Sequence, residues 1–336
     1  MQEQMQAPTP QPHLPQIPML NVGRNFPLDT LERDLDRAHD LIALATKRVP
    51  RTAMHALDGV SRRWLKRCSP VHLTEIDAIA RRLNRPGTYF LTVNYEWGCT
   101  CRVAPSPDRT SARLIRVLDW RTPGLGKHVV AAKVPGPSGE FITLTWPGYT
   151  GILQAVAKGR FAAALNQAPM RRPIGLFALD WAANRARVWQ MRFPTPAHLL
   201  RDVFEHATTF DEARLMLLER PIASPAIFLL SGTKPHETAV IERTETSSRT
   251  HDDGPGVAAN HWRARDLHGA ARGIDSEGRA KKMSHVSPDM DRTFPWLTYP
   301  IKNPRTRLVM MADAATGQII AQGFEADGPA TRVLEI

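Results

Sequence analysis

Cysteine is scarce in this chain: only Cys68, Cys99 and Cys101 occur among 336 residues. An odd, sparse set builds no disulfide framework, so a reducing compartment, and with it a cytoplasmic location, is the expectation. Long apolar runs are also missing. Arg, Asp, Gly or Pro interrupts each one before the roughly 20 residues that a bilayer crossing requires, which predicts a soluble protein. The opening MQEQMQAPTPQPHLPQIPML lacks the basic head and apolar middle of a secretory signal; its Pro and Gln predict a disordered or extended tail over residues 1–25. No repeat of fixed period is present. The Cys-x-Cys pair lacks two further ligands at ordered spacing, which His251, His261 and His268 do not supply, so no metal site is expected. The segment GLGKH is too short for a phosphate loop and has His128 where Ser or Thr belongs, and no cofactor is expected. Acidic residues are outnumbered, 33 against 44 basic, for a formal charge of +11. That excess allows attraction to an anionic membrane surface or acidic ligands. Nucleic acid is the lesser expectation, because the basic residues are spread along the chain and accompany no nucleic-acid motif.

What is present divides the chain near Thr88. PLDTLERDLDRAHDLIALATKRV places Leu31, Leu35, Ala38, Leu41, Ile42 and Ala45 at helical spacing, acidic residues early and basic ones late, which predicts one amphipathic helix. SPVHLTEIDAIARRL predicts a second, with Ser69 able to cap, Pro70 in the first turn and Asn84, Pro86 and Gly87 closing it. From TYFLTVNYEW the chain turns to β-branched and aromatic residues, read as a strand running into GCTCRVA. SARLIRVLDW, KHVVAAKV and EFITLTW predict an antiparallel meander broken by Pro- and Gly-containing turns. PAHLLRDVFEHA and TFDEARLMLLE predict helices with Thr195 and Thr209 at their starts. SPAIFLLSG, ETAVIER and GVAANHW return to strand, SEGRAKKMSHV to helix, and RLVMMADAATGQIIAQGFE is a hairpin turning at Ala315 to Gly317. SSRTHDDGPG is read as an exposed loop. Strands, helices and strands again imply an α+β sandwich with outer helical layers.

Candidate chemistry begins at GCTC. Cys99 follows Gly98 at the junction of the helical and strand-rich parts, although a cysteine on a strand is commonly just a small buried hydrophobe. Arg116 and Asp119 flank Val117 and Leu118, and charges in an apolar strand must be paired, with each other or with something else. Asn166 and Asn260 stand at strand ends, where asparagine often serves only turn chemistry. Cys101, two positions from Cys99 and on the same strand face, reads as packing, a neighbouring thiol or a rival nucleophile.

Taken in order, CTCRV, RVLDW, WPGYTG, ALNQ, AANHW and DSEGR resemble, from Thr88 to the C-terminus, the cysteine N-terminal-nucleophile hydrolases, the group of acid ceramidase, N-acylethanolamine acid amidase, bile salt hydrolase, penicillin V acylase and isopenicillin N acyltransferase. The resemblance implies a four-layer αββα sandwich over residues 99–336, preceded by a helical prosegment, residues 26–98, that is cleaved off between Gly98 and Cys99. It implies Cys99 as nucleophile, Arg116 and Asp119 as the pair that orients it, Asn166 lining the site, Asn260 as side-chain donor of the oxyanion hole, and Arg279 as the late arginine. Gln167 stands where many relatives carry an acidic residue.

The physical chemistry is consistent with those roles. A free α-amine has a pKa of about 7.7 to 8.0 and a thiol about 8.5, so an N-terminal cysteine carries nucleophile and base on one residue. Arg116 would favour the thiolate, and Asp119 would hold the ammonium. Gly98 offers an unhindered carbonyl and tolerates strain. The expected activity is an amidohydrolase on N-acyl small molecules or lipids; the same thioester passed to an amine would make an acyltransferase, and an inactive basic protein binding lipid or nucleic acid is the alternative of another class. The expected partners are the N-acyl substrate, the chain's own cleaved N-terminal fragment and further copies in a homo-oligomer. Trp120, Trp146 and Tyr149 are read either as walls of an apolar acyl pocket or as ordinary core.

Overall fold

The computed structural model describes residues 14–93, 97–252 and 254–336. Five helices precede the main sheets: α1 (Phe26–Arg33), α2 (Leu35–Thr46), α3 (Arg51–Cys68), α4 (Pro70–Leu83) and α5 (Thr88–Val93). The single helix expected over 27–49 is broken in two. Asp34 leaves helical geometry at φ −148° and ψ 60°, and its carboxylate caps α2 by accepting from the Arg37 amide while pairing with Arg37 Nε at 2.7 Å. An 18-residue helix, α3, was not legible in the sequence because its buried stripe includes Asp58 and Ser61 beside Met54, Trp64, Leu65 and Cys68. Asp58 also explains a second departure. Its two carboxylate oxygens accept from the amides of Gly87 and Phe90, at 2.6 and 2.8 Å, which satisfies the start of α5 where a strand was expected from Thr88. That strand begins instead at Trp97; Asn94 to Glu96 lie outside the described residues.

The strands form two sheets. In chain order they are β1 (Met19–Asn21), β2 (Trp97–Pro105), β3 (Ala112–Trp120), β4 (Val130–Gly136), β5 (Gly139–Thr145), β6 (Gln154–Ala157), β7 (Phe161–Gln167), β8 (Ala226–Ser231), β9 (Thr238–Arg243), β10 (Ser248–His251), β11 (Gly256–Ala258), β12 (Thr306–Asp313), β13 (Gln318–Glu325), β14 (Gly328–Pro329) and β15 (Leu334–Glu335). One sheet runs β1-β4-β5-β6-β7-β8-β9-β10, the other β11-β2-β3-β12-β13-β14 with β15 also on β13. β1 pairs in parallel with β4, so this part of the expected N-terminal tail is an edge strand of the first sheet. β10 likewise gives strand pairing to part of the expected loop 247–256, of which Asp253 lies outside the described residues.

Alternation along β3 separates two cores. Leu114 and Leu118 join Cys99, Cys101, Leu165 and Phe228 between the sheets, while Ile115 and Val117 join Met283, Val309 and Met311 on the outer face of the second sheet. Helices α7 (Pro196–His206) and α8 (Phe210–Glu219), capped by Thr195 and Thr209 through the amides of His198 and Glu212, cover the first sheet; α9 (Ser276–Met283) covers the second. α6 (Phe177–Gln190) lies between β7 and α7 in the chain. The result is the four-layer αββα arrangement.

Packing of α4 on α7 brings His72 and His198 into a buried stack, ring centroids 4.1 Å apart and 11° between planes. Ser69 Oγ lies 2.6 Å from His72 Nδ1 and Thr150 Oγ1 2.9 Å from His198 Nε2. Burial, reinforced by the nearby Arg201 cation, lowers His72 to about 4, from an ordinary 6.5, and burial with the neighbouring His72 and Arg201 holds His198 well below 6.5. Because the folded state refuses a proton that the unfolded chain accepts, stability is complete above pH 6.5 and falls as acid is added towards pH 4, by about 3 kcal/mol for His72 alone. The melting temperature should therefore drop between pH 7 and pH 4.5, and His72→Gln should flatten that drop; an unchanged acid profile in the variant would exclude this source.

Candidate active site

Cys99 lies on β2, its side chain fully buried between the sheets, in register with Leu118 of β3. Its Sγ is 3.1 Å from Arg116 Nη2 and 3.8 Å from the Leu165 carbonyl. Arg116 Nη1 donates to Leu165 O at 2.9 Å and to Asn166 Oδ1 at 3.2 Å, and reaches Cys101 Sγ at 3.5 Å. Arg116 is fully buried, its Nε has no hydrogen-bond partner, and no carboxylate pairs with it among the described residues. Arg116 and Asp119 are not an ion pair: three positions apart on a strand, they face opposite sides of the sheet. A buried guanidinium without a carboxylate is costly, and the groups beside it that can become anionic are the two thiols.

The thiol of Cys99 is nevertheless neutral in the intact chain. Burial pushes it up to about 12, with Arg116 as the main opposing influence. Cys101 is raised for the same reason, and its S–H donates to Asn166 Oδ1 at 2.9 Å. Asn166 is occupied throughout, since its Nδ2 donates to Ala258 O and Ala259 O at 3.1 Å each. It stands beside Cys101 and Arg116 and ties β7 to β11.

Asp119 sits next to Gly98, its register partner, on the α9 side of the second sheet. Two residues not apparent from the sequence hold it: Asn303 Nδ2 donates to Oδ2 at 2.8 Å and Thr306 Oγ1 to Oδ1 at 2.9 Å. Both come from the turn into β12, far away in sequence, and lack any local signal. Burial raises the Asp119 carboxyl above the ordinary range, against the pull of Arg279 at 3.5 Å.

Arg279, on α9, clamps the Cys99 backbone. Its Nη1 donates to Cys99 O and Thr100 Oγ1, both at 2.7 Å, and its Nη2 donates to Asn260 Oδ1 at 3.0 Å. Gly273 makes the approach feasible: at φ +77° it suits glycine, and a Cβ there would lie 2.7 Å from Arg279 Nη2. Asn260 Oδ1 also accepts the Cys99 amide at 2.7 Å, and Nδ2 donates to Gln167 O at 2.8 Å. Two donors face one end of this amide and a carbonyl the other, so the orientation is dictated by its neighbours. Gln167 Oε1 accepts the Trp97 amide at 3.0 Å. The peptide on either side of Gly98–Cys99 is thus gripped by Gln167, Asn260 and Arg279.

Gly98 itself departs from expectation. It lies in the strand without left-handed geometry, and a side-chain carbon there would meet Asp119 and Gly273 at 3.4 to 3.5 Å, ordinary contact distances, so no backbone strain accounts for this glycine.

Trp120, Trp146 and Tyr149 line an open cavity of about 350 Å³ together with Leu41, Ile79 and Leu91 of the N-terminal helices. Trp120 stacks on Trp97 at 5.3 Å and meets Trp146 edge-on at 5.8 Å. Among the described residues, no group of three or more His, Cys, Asp or Glu could hold a metal ion.

No protein-family model matches the chain. It is similar to acid ceramidase of Homo sapiens, 31% identical over 108 residues, and of Heterocephalus glaber, 30% identical over 108 residues. Each match covers 32% of this chain and 26% of the relative, so the chain aligns with about a quarter of the length of these curated proteins. Among solved structures it is similar to the Caenorhabditis elegans N-acylethanolamine-hydrolyzing acid amidase ortholog, with a TM-score of 0.51 and 18% identity, covering 71% of this chain and all of that one. The two facing sheets with outer helices give the chain the αββα fold of that N-acylethanolamine-hydrolyzing acid amidase ortholog, and about a third of its length resembles acid ceramidase in sequence.

Proposed function

We propose that the protein is a self-processing amidohydrolase acting on N-acyl substrates through a Cys99 thioester. The observation that carries this reading is the buried Arg116 guanidinium, without a carboxylate and 3.1 Å from the Cys99 sulfur. Such a cation is rational only if that sulfur carries charge during turnover.

Maturation would begin with attack of the Cys99 thiol on the Gly98 carbonyl. The peptide C–N bond breaks, the proton released by the thiol passes to the Cys99 nitrogen, and water opens the thioester to leave a Gly98 carboxylate. The freed α-amine, beside Asn260 Oδ1 and Asp119, then serves as base for the thiol of its own residue. In the substrate reaction the sulfur takes the acyl carbon, the leaving nitrogen takes the proton, and water releases the acid. Asn260 Nδ2 has a second hydrogen besides the one given to Gln167 O, and an oxyanion bound there would gain about 3 kcal/mol. The apolar cavity at Trp120, Trp146 and Tyr149 supports an acyl chain as the non-polar half of the substrate.

Intact mass and N-terminal sequencing of the purified protein, beside Cys99→Ala, test the reading. The expected result is two fragments, the larger starting at Cys99, an uncut variant, and hydrolysis of N-acyl amides by the wild type alone. A variant that is cut or that hydrolyses amides as the wild type does would end the proposal.

A further inference from the structure

Two polar residues beside Asn260, His261 and Ser276, take no part in the reaction above. Ser276 opens α9 and is buried; His261 follows Asn260 and is half-buried. Their side chains meet. Ser276 Oγ lies 2.8 Å from His261 Nδ1, and the same oxygen accepts the Asn260 backbone N–H at 2.8 Å. Among the described residues the serine hydrogen has no acceptor except that imidazole nitrogen, so the network assigns neutral His261 the tautomer with its proton on Nε2. Asn260 is gripped at backbone and side chain together. Its carbonyl accepts the Arg272 amide at 3.1 Å, and its Oδ1 accepts from the Cys99 amide and from Arg279, which lies one turn along α9 from Ser276. One face of α9 thus holds the backbone of Asn260 through Ser276 and its side chain through Arg279.

We infer that Ser276 and His261 are positioning residues for amide hydrolysis: the serine fixes the Asn260 backbone and the neutral imidazole fixes the serine, so that the unspent hydrogen of Asn260 Nδ2 points at the forming oxyanion. The inference rests on the amidase reading above. Neither residue contributes an atom to the bond-making steps. Their effect passes through Asn260, because a misplacement of about 1 Å in such a group can cost about 10²-fold in rate. The hold is also sensitive to acid. Protonation places a hydrogen on Nδ1, facing Ser276 Oγ, and turns the serine hydrogen away from its one acceptor. Burial keeps the imidazole below its ordinary 6.5, and Arg279 of α9 acts in the same sense, while Glu277 of α9 and Glu242 of β9 oppose it. Glu242 is itself engaged by His251 Nε2 at 3.0 Å and by the amides of Arg263 and Ala264. The neutral form therefore prevails at pH 7 and gives way to the cation only below pH 6.5.

The test measures kcat and KM for N-lauroylethanolamine across the range from about pH 4.5 to 8, on protein that intact mass shows to be fully cut, for the wild type, Ser276→Ala, Ser276→Thr and His261→Gln. Ser276→Ala should lower kcat roughly 10- to 100-fold with KM within about twofold, and Ser276→Thr, which keeps the hydroxyl, should recover most of the loss. His261→Gln keeps an acceptor for the serine but does not titrate. It should stay within about threefold of the wild type at pH 7 and flatten the fall in kcat on the acid side, a change that a merely structural role would not produce. The 15N signals of the His261 ring, assigned by their loss in His261→Gln, read the contact without turnover and should shift in Ser276→Ala. Wild-type kcat in Ser276→Ala, ring signals unmoved by that substitution, or an acid limb unchanged in His261→Gln overturns the assignment and leaves the amidase reading standing. Should Ser276→Ala fail to fold or to be cut, the pH profile of His261→Gln decides alone. A wild type inactive on the amide removes the amidase reading and this role with it.

Discussion

Arg116→Met should leave the chain uncut and lower amide hydrolysis by about three orders of magnitude, with little change in thermal stability. The thiol of Cys99 is already pushed up to about 12 by burial, and Arg116 is the main influence that opposes it. Without the cation, the thiolate needed for attack on Gly98 or on a substrate has no electrostatic support. Stability follows a different logic. Methionine fills similar space, and losing a buried charge that has no carboxylate partner relieves a desolvation cost, which offsets the donor lost by Leu165 O and Asn166 Oδ1. Arg116→Lys should recover part of the processing rate, since a point charge reaches one sulfur but not both as the guanidinium fork does. Time-resolved intact mass and a melting curve check both halves. Normal processing in Arg116→Met would remove arginine from nucleophile activation and return it to a structural role.

Arg279→Met should have the opposite signature, a large loss of stability together with loss of function. Its removal takes a donor from each of Cys99 O, Thr100 Oγ1 and Asn260 Oδ1, the last of which keeps the Cys99 amide, and a cation from buried Asp119. Breaking a buried pair of this kind costs about 3 to 5 kcal/mol, a fall in Tm of roughly 10 °C for a domain of this size. The pH dependence provides a check. Asp119 is held above its ordinary range by burial, and without Arg279 it would rise further. A raised carboxyl stabilises the fold below its unfolded pKa and loses that contribution as pH rises through the folded value. The deficit of Arg279→Met relative to wild type should thus be smaller at pH 4.5 than at pH 7, and adding Asp119→Asn should recover part of it at pH 7. A deficit independent of pH would mean that the clamp on the Cys99 backbone, and not the charge on Asp119, dominates.

The two arginines show how far linear reasoning reaches. The motif order singled out Cys99, Arg116, Asp119, Asn166, Asn260 and Arg279, and the fold brings them all around the centre of β2 and its neighbours. Their individual relations were not legible. Spacing suggested that Arg116 and Asp119 work together, yet strand alternation puts them on opposite faces. Asn166 shares the neighbourhood, but its amide is spent on Cys101, Arg116 and the carbonyls of β11. Asn303 and Thr306, which hold Asp119, carry no signal in the sequence because their role depends on pairing of β12 with β3.

Secondary structure divides in the same way. Thr195 and Thr209 announced α7 and α8, because a hydroxyl before an apolar run caps locally whatever surrounds it. The hairpin β12–β13 and the strands β3 to β5 were equally plain from alternation and turn residues. Two of the departures involve a distant partner: α5 replaced a strand because Asp58, some 30 positions away, supplied its cap, and α3 hid its amphipathic stripe by burying polar residues such as Asp58, whereas the break at Asp34 is a local cap.

By itself, then, the sequence determined the strands of the meander and hairpin and the locally capped helices, since these rest on periodicity and capping that act over a few neighbours, while Cys99, Arg116, Asp119, Asn166, Asn260 and Arg279 were candidates singled out by the order of short motifs. Only the tertiary structure decided which groups touch the Cys99 sulfur, that this sulfur is buried and neutral in the intact chain, and that Ser276 of α9 meets both His261 and the Asn260 backbone. Electrostatics and desolvation depend on distances through space, and those distances exist only after the sheets have closed on each other.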